Sequence, residues 1–439
     1  MSKEKAKSNS SDAIYSLDEK INLLKAFPFG LQHILAMFVA NITPVIIVAT
    51  ACGLNSKDAA MILQSAMVIA GIGTFIQLFP VWKIGSGLPI VMGISFTFVS
   101  LACTIGVQYG YATLMGAVLI GGIVEGILGL LAKYWIKLVA PIVAATVVTA
   151  IGFSLLSVGA SSFGGGTDVS DFGSVNNWIL GMVTLVSCIL FNIFAKGYLK
   201  QLSVLFGLVV GYVLALCMGM VDFSALNGVG IISLPHLLPF KPEFNMNAIV
   251  AFILIFLVSA TETIGDTSAL AASGLGRDAT EKETSGSIAC DGFVSALSSV
   301  FGCMPITSFS QNVGLVAMTK VVNKYAIATG AGVMVLAGFF PVIGALLATL
   351  PSAVLGGCTI MMFGTIVVSG VQMIGKCGFS QRNVTIAALS LSVGLGFTQC
   401  PELFAIFPNL VKSVFAENCV ALVFVTAIIL NLILPKNME

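Results

Sequence analysis

The sequence predicts an all-α polytopic membrane protein with fourteen transmembrane segments in two inverted seven-span repeats. Three observations carry this reading: a composition too apolar for water, a one-sided distribution of cations, and an internal repeat. Of 439 residues, 57% are hydrophobic and only 9% charged, and the mean hydropathy is +1.04. A soluble domain carries about 25% charged residues, so several soluble cores could not be clothed here. The same numbers exclude disordered, coiled-coil and disulfide-scaffold classes. A net charge of +1 leaves no basic field to neutralise phosphates, which argues against a nucleic-acid partner. The ten cysteines stand singly, with no Cys-x-x-Cys pair and no Cys/His cluster, so neither a zinc nor a redox site is expected. The first ~27 residues are polar and lack an apolar h-region with a cleavage site. Through about Lys20 they read as a solvated, disordered arm.

A membrane helix needs roughly 20 mostly apolar residues. Such runs fall near 30–51, 59–79, 86–103, 111–131, 138–158, 177–195, 202–219, 246–272, 285–302, 305–322, 326–348, 352–374, 383–398 and 416–434. The positive-inside rule tests the count. With the N-terminus in the cytoplasm, only Lys57, Lys241 and Lys412 of the 20 Lys and Arg fall outside. One span more or fewer would invert every later loop and destroy that bias. Both termini are therefore expected in the cytoplasm, and the protein in the cell's inner, plasma membrane.

The repeat is weak but in register. Gly87-Leu88-Pro89-Ile90-Val91 in the third span resembles Cys303-Met304-Pro305-Ile306-Thr307 in the tenth, and the run from Gly116 resembles the run from Gly332. Pro141 opens the fifth span as Pro351 opens the twelfth. Seven spans per half is an odd number, so the halves must face opposite ways, as in many secondary transporters. In such proteins, matching Gly/Pro-interrupted segments mark the binding site. The third and tenth spans fit, and a short extended stretch leading into a half-helix is expected in each. Free N–H groups would then face a polar, protein-enclosed cavity.

Ionisable residues inside spans are costly in lipid and candidates for function. Glu125, Glu262, Asp266 and Asp291 qualify among the acids. Glu262 and Asp266 are four apart and share a helical face. Glu125, alone on a Gly-rich span, reads better as a bridge between helices. The first span adds Gln32 and His33. A carboxylate such as Glu262 accepts N–H donors, and a primary amide such as Gln311 both donates and accepts. Together they match an alternating N–H/C=O edge, as on an oxidised purine or a pyrimidine, while Phe96 offers a stacking face. Composition alone reaches only a small planar polar solute.

One segment is more specific. Gln311-Asn312-Val313-Gly314-Leu315-Val316-Ala317-Met318-Thr319-Lys320 resembles the signature of the nucleobase–ascorbate transporter family. That signature reads Gln, Glu or Pro, then Asn-x-Gly, four variable positions, Thr, and Arg, Lys or Gly. Every fixed position is met. Gln32-His33, Gly93-Ile94-Ser95-Phe96, Glu262 to Asp266 and Asp291-Gly292 follow in the family's order over nearly the whole chain. The resemblance implies a core domain of spans 1–4 and 8–11 (28–131 and 246–348). It implies a gate domain of spans 5–7 and 12–14 (132–245 and 349–439), after a cytoplasmic tail at 1–27. It further implies that Glu262 holds substrate N–H groups, that Gln311 pairs with the purine edge and that Phe96 stacks. Backbone groups near Phe96 and Ser310, with Ser95, would complete the site. His33, Asp266, Asn312, Asp291 and Gln32 would be supporting or proton-coupling residues. Gln at the first signature position resembles xanthine and urate carriers, Glu the uracil carriers and Pro the ascorbate carriers. One departure concerns selectivity: many purine members carry Gln-Gly-Thr-Ser-Phe where this chain has Met92-Gly93-Ile94-Ser95-Phe96.

The expected activity is proton-coupled uptake of a purine nucleobase, with no cofactor. The core would slide against the gate, and the gate would also supply a homodimer contact. Desolvation disfavours a charged carboxylate, which would link proton and substrate binding through Glu262, Asp266 and His33. Sodium coupling and a uracil or other nucleobase substrate remain as alternatives. An anion exchanger would want basic midplane groups, whereas the midplane here carries acids. A membrane enzyme finds no paired metal-ligand motif and only two histidines.

Overall fold

Local sequence explains most element boundaries. The protein is described by a computed structural model covering residues 15–136, 139–166, 169–227, 229–416 and 418–435. The first half holds α1 (Leu23–Ala51), α2 (Ser56–Leu78), β1 (Met92–Ile94), α3 (Val99–Tyr109), α4 (Tyr111–Leu130), α5 (Ala132–Trp135), α6 (Pro141–Phe163), α7 (Val175–Phe194), α8 (Tyr198–Gln201) and α9 (Ser203–Cys217). The second holds α10 (Met246–Leu275), α11 (Glu281–Val300), β2 (Ile306–Ser308), α12 (Ser310–Thr319), α13 (Lys324–Gly338), α14 (Pro341–Ala348), α15 (Ser352–Cys377), α16 (Gln381–Thr398), α17 (Asn409–Phe415) and α18 (Cys419–Ile433). Asn55, Asn245 and Ser380 cap α2, α10 and α16 by accepting first-turn N–H groups, the role short polar side chains fill at helix starts. Pro141 begins α6, where its missing N–H costs nothing.

Among the described residues, seven helices are long and apolar enough to cross a bilayer alone: α1, α2, α4, α6, α7, α10 and α15. The segments Phe96–Tyr109, Ser203–Cys217 and Cys419–Ile433 are shorter apolar helices. Apolar side chains face outward as well as inward. On α7, Trp178, Ile179, Met182, Val186 and Ile193 are all exposed, as a lipid-facing helix requires.

Two expectations need correction. The run at 326–348, expected as one helix, is two, α13 and α14, bent by 81°. Pro341 is the cause. Phe340 before it is extended (φ −102, ψ 91), because a residue preceding proline is disfavoured in the helical region. The arm expected to be solvated through Lys20 is instead docked over its last residues. Asn323 Nδ2 donates to the Ser16 and Glu19 carbonyls, each at 2.7 Å. Lys324 N donates to Leu17 O, and the Lys324 ammonium pairs with Asp18 at 2.7 Å. Helix α1 then starts at Leu23, inside the expected tail. The first fourteen residues of that tail lie outside the described residues.

Helices α4 and α11 pack backbone to backbone. A Cβ on Gly292 would sit 2.1 Å from Gly126 N and 2.6 Å from Gly122 O, so small residues at these positions set the separation.

Candidate functional site

The extended stretches expected in the third and tenth spans are present and pair with each other. β1 and β2 run antiparallel, with Met92 opposite Ser308, Gly93 opposite Thr307 and Ile94 opposite Ile306. Phe309 N to Val91 O and Ser95 N to Pro305 O continue the ladder at either end. A two-stranded sheet has two open edges, and unsatisfied N–H groups are not tolerated at membrane depth. Four side chains close them. Met92 N donates to Thr74 Oγ1 (2.9 Å) and Ile94 N to Asn41 Oδ1 (2.7 Å). Ile306 N donates to Ser295 Oγ (3.1 Å) and Ser308 N to Asp291 Oδ2 (3.0 Å).

Asp291 therefore anchors β2. Its Oδ2 also accepts from Thr263 Oγ1 (2.6 Å), and its Oδ1 accepts from Ser308 Oγ (3.0 Å) and Gln77 Nε2 (3.1 Å). Gln77 in turn accepts from Ser86 N through Oε1 (2.9 Å). This buried set ties α2, α10, α11 and β2 together.

Each strand runs directly into a helical start, Phe96 after β1 and Ser310 after β2. Helix α12 opens without a side-chain cap, so the positive end of its dipole meets whatever lies in front of it. In front lies a cavity of about 330 Å³. One wall is Ile94 to Thr97, Glu262 of α10, and Ser308 to Gln311 with Gly314. The facing wall is Val148 and Ile151 of α6, and Met362, Thr365, Ile366 and Ser369 of α15, with Gln201 at α8. A second cavity, lined by Lys200, Asn192 and Ala36, shares Gln201, Gln311, Met362 and Thr365 with the first.

Glu262 is held from two sides. Thr97 Oγ1 donates to its Oε2 at 2.6 Å, and Ser310 Oγ lies 3.2 Å from its Oε1. The same Ser310 hydroxyl lies 2.6 Å from Asp266 Oδ2. The helical face shared by the two acids is thus bridged by one residue of α12. Phe96 lines the cavity and meets Phe363 edge-to-face, with centroids 5.3 Å apart and planes at 82°. Aromatic pairs prefer this geometry.

Of the residues predicted from sequence, Glu262, Gln311, Phe96, Ser310 and Ser95 line this one cavity. Asp266 stands behind Ser310, outside the lining. His33 and Asn312 are buried in α1 and α12, likewise outside the lining, as are Asp291 and Gln32. Glu125 is fully buried on α4, and its backbone packs on Gly292. Met92, the departure from the purine-carrier pattern, turns away from the cavity; its sulfur lies 3.7 Å from Cys290 Sγ. Sequence reasoning missed Thr97, Gln77, Asn41 and the α15 side chains. A filter for amides inside spans, rather than for ionisable groups alone, would have found Asn41 and Gln77. The α15 residues carry no local signal.

Two strand-led half-helices meeting at one cavity that Glu262, Thr97, Ser310 and Gln311 line, within a polytopic helical protein, is an arrangement found in solute transporters. The family model Xan_ur_permease, described as the permease family, matches residues 24–403. The chain belongs to this family, the nucleobase–ascorbate transporters. It is 33% identical over 440 residues to the xanthine permease XanQ of Escherichia coli (strain K12), covering 97% of this chain and 94% of XanQ. It is 34% identical over 421 residues to the uric acid permease PucK of Bacillus subtilis (strain 168), covering 94% and 96%. Its fold is similar to the transmembrane domain of the cyanobacterial bicarbonate transporter BicA (TM-score 0.57, 15% identity, covering 85% of this chain and 97% of that one). It is also similar to the murine anion transporter Slc26a9 in its inward-facing state (TM-score 0.60, 13% identity, covering 94% and 69%). The chain is therefore a multi-pass membrane protein and a nucleobase transporter.

Proposed function

We propose that this transporter carries an oxidised purine base, xanthine or urate, into the cell with a proton. The observation that carries this reading is the convergence of the Glu262 carboxylate, the Gln311 amide and the Phe96 ring on one cavity. Glu262 accepts ring N–H groups, Gln311 pairs with the adjacent N–H/C=O edge, and Phe96 covers one face. The names of the relatives XanQ and PucK support a xanthine or urate substrate.

Proton coupling draws support from Ser310. Its hydroxyl has one hydrogen and faces two carboxylates, so it can donate to only one of them. A proton on Glu262 or Asp266 completes the second bond. With the proton on Asp266, Glu262 stays ionised and free to accept substrate N–H groups, so proton and substrate are bound together. His33, a buried imidazole on α1, is assigned to the coupling group from the family resemblance.

The cavity is lined by Ile94 to Thr97, Glu262 and Ser308 to Gln311, which fall in the segments assigned to the core, and by Val148, Ile151, Gln201, Met362, Thr365, Ile366 and Ser369, which fall in those assigned to the gate. That division supports a core domain that slides against a gate domain, elevator fashion; the homodimer through the gates follows from the family resemblance alone. The antiparallel pairing of β1 with β2 supports two inverted seven-span halves, fourteen spans in all. The cation bias supports cytoplasmic termini, and the reading sets the protein in the cell's inner membrane.

A radiolabelled uptake panel of xanthine, urate, hypoxanthine, guanine and uracil tests the substrate. Glu262→Gln should abolish uptake of the preferred purine, and Gln311→Glu should shift competition away from xanthine and urate. Wild-type uptake by Glu262→Gln, or uracil preferred over every purine, would overturn the reading. A protonophore should stop accumulation, whereas replacing sodium with choline should not.

A further inference from the structure

A third cavity, remote from the transport site, lies where α2, α4 and α5 end and α11 and α13 begin. Its volume is about 850 Å³. We propose that it binds the phosphodiester headgroup of an anionic phospholipid. Five cations line it: Lys83, Lys133, Arg277, Lys282 and Lys324. Two are already neutralised, Arg277 by Glu283 at 2.5 Å and Lys324 by Asp18 at 2.7 Å. Lys83, Lys133 and Lys282 make no ion pair among the described residues, and they outnumber the one unpaired lining acid, Glu281. The cavity thus keeps a positive balance among the described residues.

Its rim is built for the bilayer surface. Val81 and Ile84 exchange backbone hydrogen bonds of 2.9 and 3.0 Å, closing a tight turn that holds Trp82 at φ 57. A bulky residue seldom adopts that left-handed conformation. Here it turns the indole outward, 72% exposed, with the Lys83 ammonium 5.3 Å from the ring centroid. Across the cavity, Tyr134 is 70% exposed, with the Lys133 ammonium 4.6 Å from its ring. Trp and Tyr at span ends sit at headgroup level, and basic pockets between span ends take anionic headgroups. Leu130 and Leu131 complete the wall. A free phosphate needs only the lysines, whereas an aromatic and leucine wall matches the glycerol ester and first methylenes of a lipid. The proposal stands apart from the choice of transported solute.

The test uses the purified full chain in detergent, with lipid retention read by native mass spectrometry and stability by thermal unfolding. Phosphatidylglycerol should be retained and should raise the melting temperature, and phosphatidylcholine should do neither. Each of Lys83→Gln, Lys133→Gln and Lys282→Gln should weaken phosphatidylglycerol retention about fivefold, and Lys→Arg at the same position should restore it. The single variants keep the test open if the triple variant does not fold. Equal retention of both lipids, undiminished retention by all three Gln variants, or stabilisation by inorganic phosphate equal to that by phosphatidylglycerol would each overturn the proposal, the last in favour of a soluble anion.

Discussion

The Thr97 hydroxyl donates a 2.6 Å hydrogen bond to Glu262 Oε2, joining the helical turn after β1 to the middle of α10. The bond orients the carboxylate toward the cavity that Phe96 and Gln311 also line. It links the two repeat-like segments through the acid expected to hold substrate. Removing the donor leaves a partly buried carboxylate oxygen short of a partner, at a cost of about 1–3 kcal/mol. Thr97→Val should therefore weaken purine binding roughly tenfold, measured by calorimetry on purified protein. Thr97→Ser should restore it. Unchanged affinity in the valine variant would show that this bond does not set the carboxylate.

Gln77 should matter for stability and not for selectivity. It binds Asp291 and receives Ser86 N–H, yet it does not line the cavity. Gln77→Leu leaves several buried groups unpaired and should cost roughly 2 kcal/mol. The expected result is a lower melting temperature with an unaltered ranking of competing bases. A changed ranking at wild-type melting temperature would contradict the anchoring role.

Gly292→Ala tests the α4–α11 contact. The added methyl would meet Gly126 N and Gly122 O, which are backbone atoms that cannot rotate away. Overpacking costs typically 1–3 kcal/mol and occasionally more. Folded yield and melting temperature should fall. Gly396→Ala, at a position with nothing within 4 Å, is the control and should behave like the wild type.

Glu283 gives a pH dependence outside the membrane. Burial pushes its carboxyl up, but the Arg277 guanidinium and the Thr280 N–H and hydroxyl outweigh this and hold it at about 2, against an ordinary 4.5. A folded-state value below the unfolded one means stability fully present above about pH 4.5 and lost as pH falls through about 2. Melting temperature should drop across that window, and Glu283→Gln should flatten this part of the drop. An identical acid profile in the variant would sink the assignment.

Much of this protein is readable without coordinates. Apolar runs of the right length locate the helices, since a backbone in lipid must satisfy itself within one segment. Pro89 with Gly93 to Phe96, and Pro305 with Gln311 to Gly314, mark the site because small residues, Pro and amides are out of place in an ordinary span. Pro341 carries the bend between α13 and α14 in plain view, although the expectation of one span passed over it. The docking of Ser16 to Glu19 on Asn323 and Lys324 left no trace, because a polar arm has the same composition bound or free.

Residue order thus accounts for the membrane class, the helical segments and the chemistry available at Glu262, Gln311 and Phe96. Three-dimensional packing alone decides that β1 meets β2, that Asn41, Thr74, Ser295 and Asp291 close the sheet's edges, and that Ser310 stands between two carboxylates. These are pairings between distant positions, and each depends on where whole helices come to rest. No stretch of sequence encodes the position of the helix opposite, so this second set emerges only when the chain is folded.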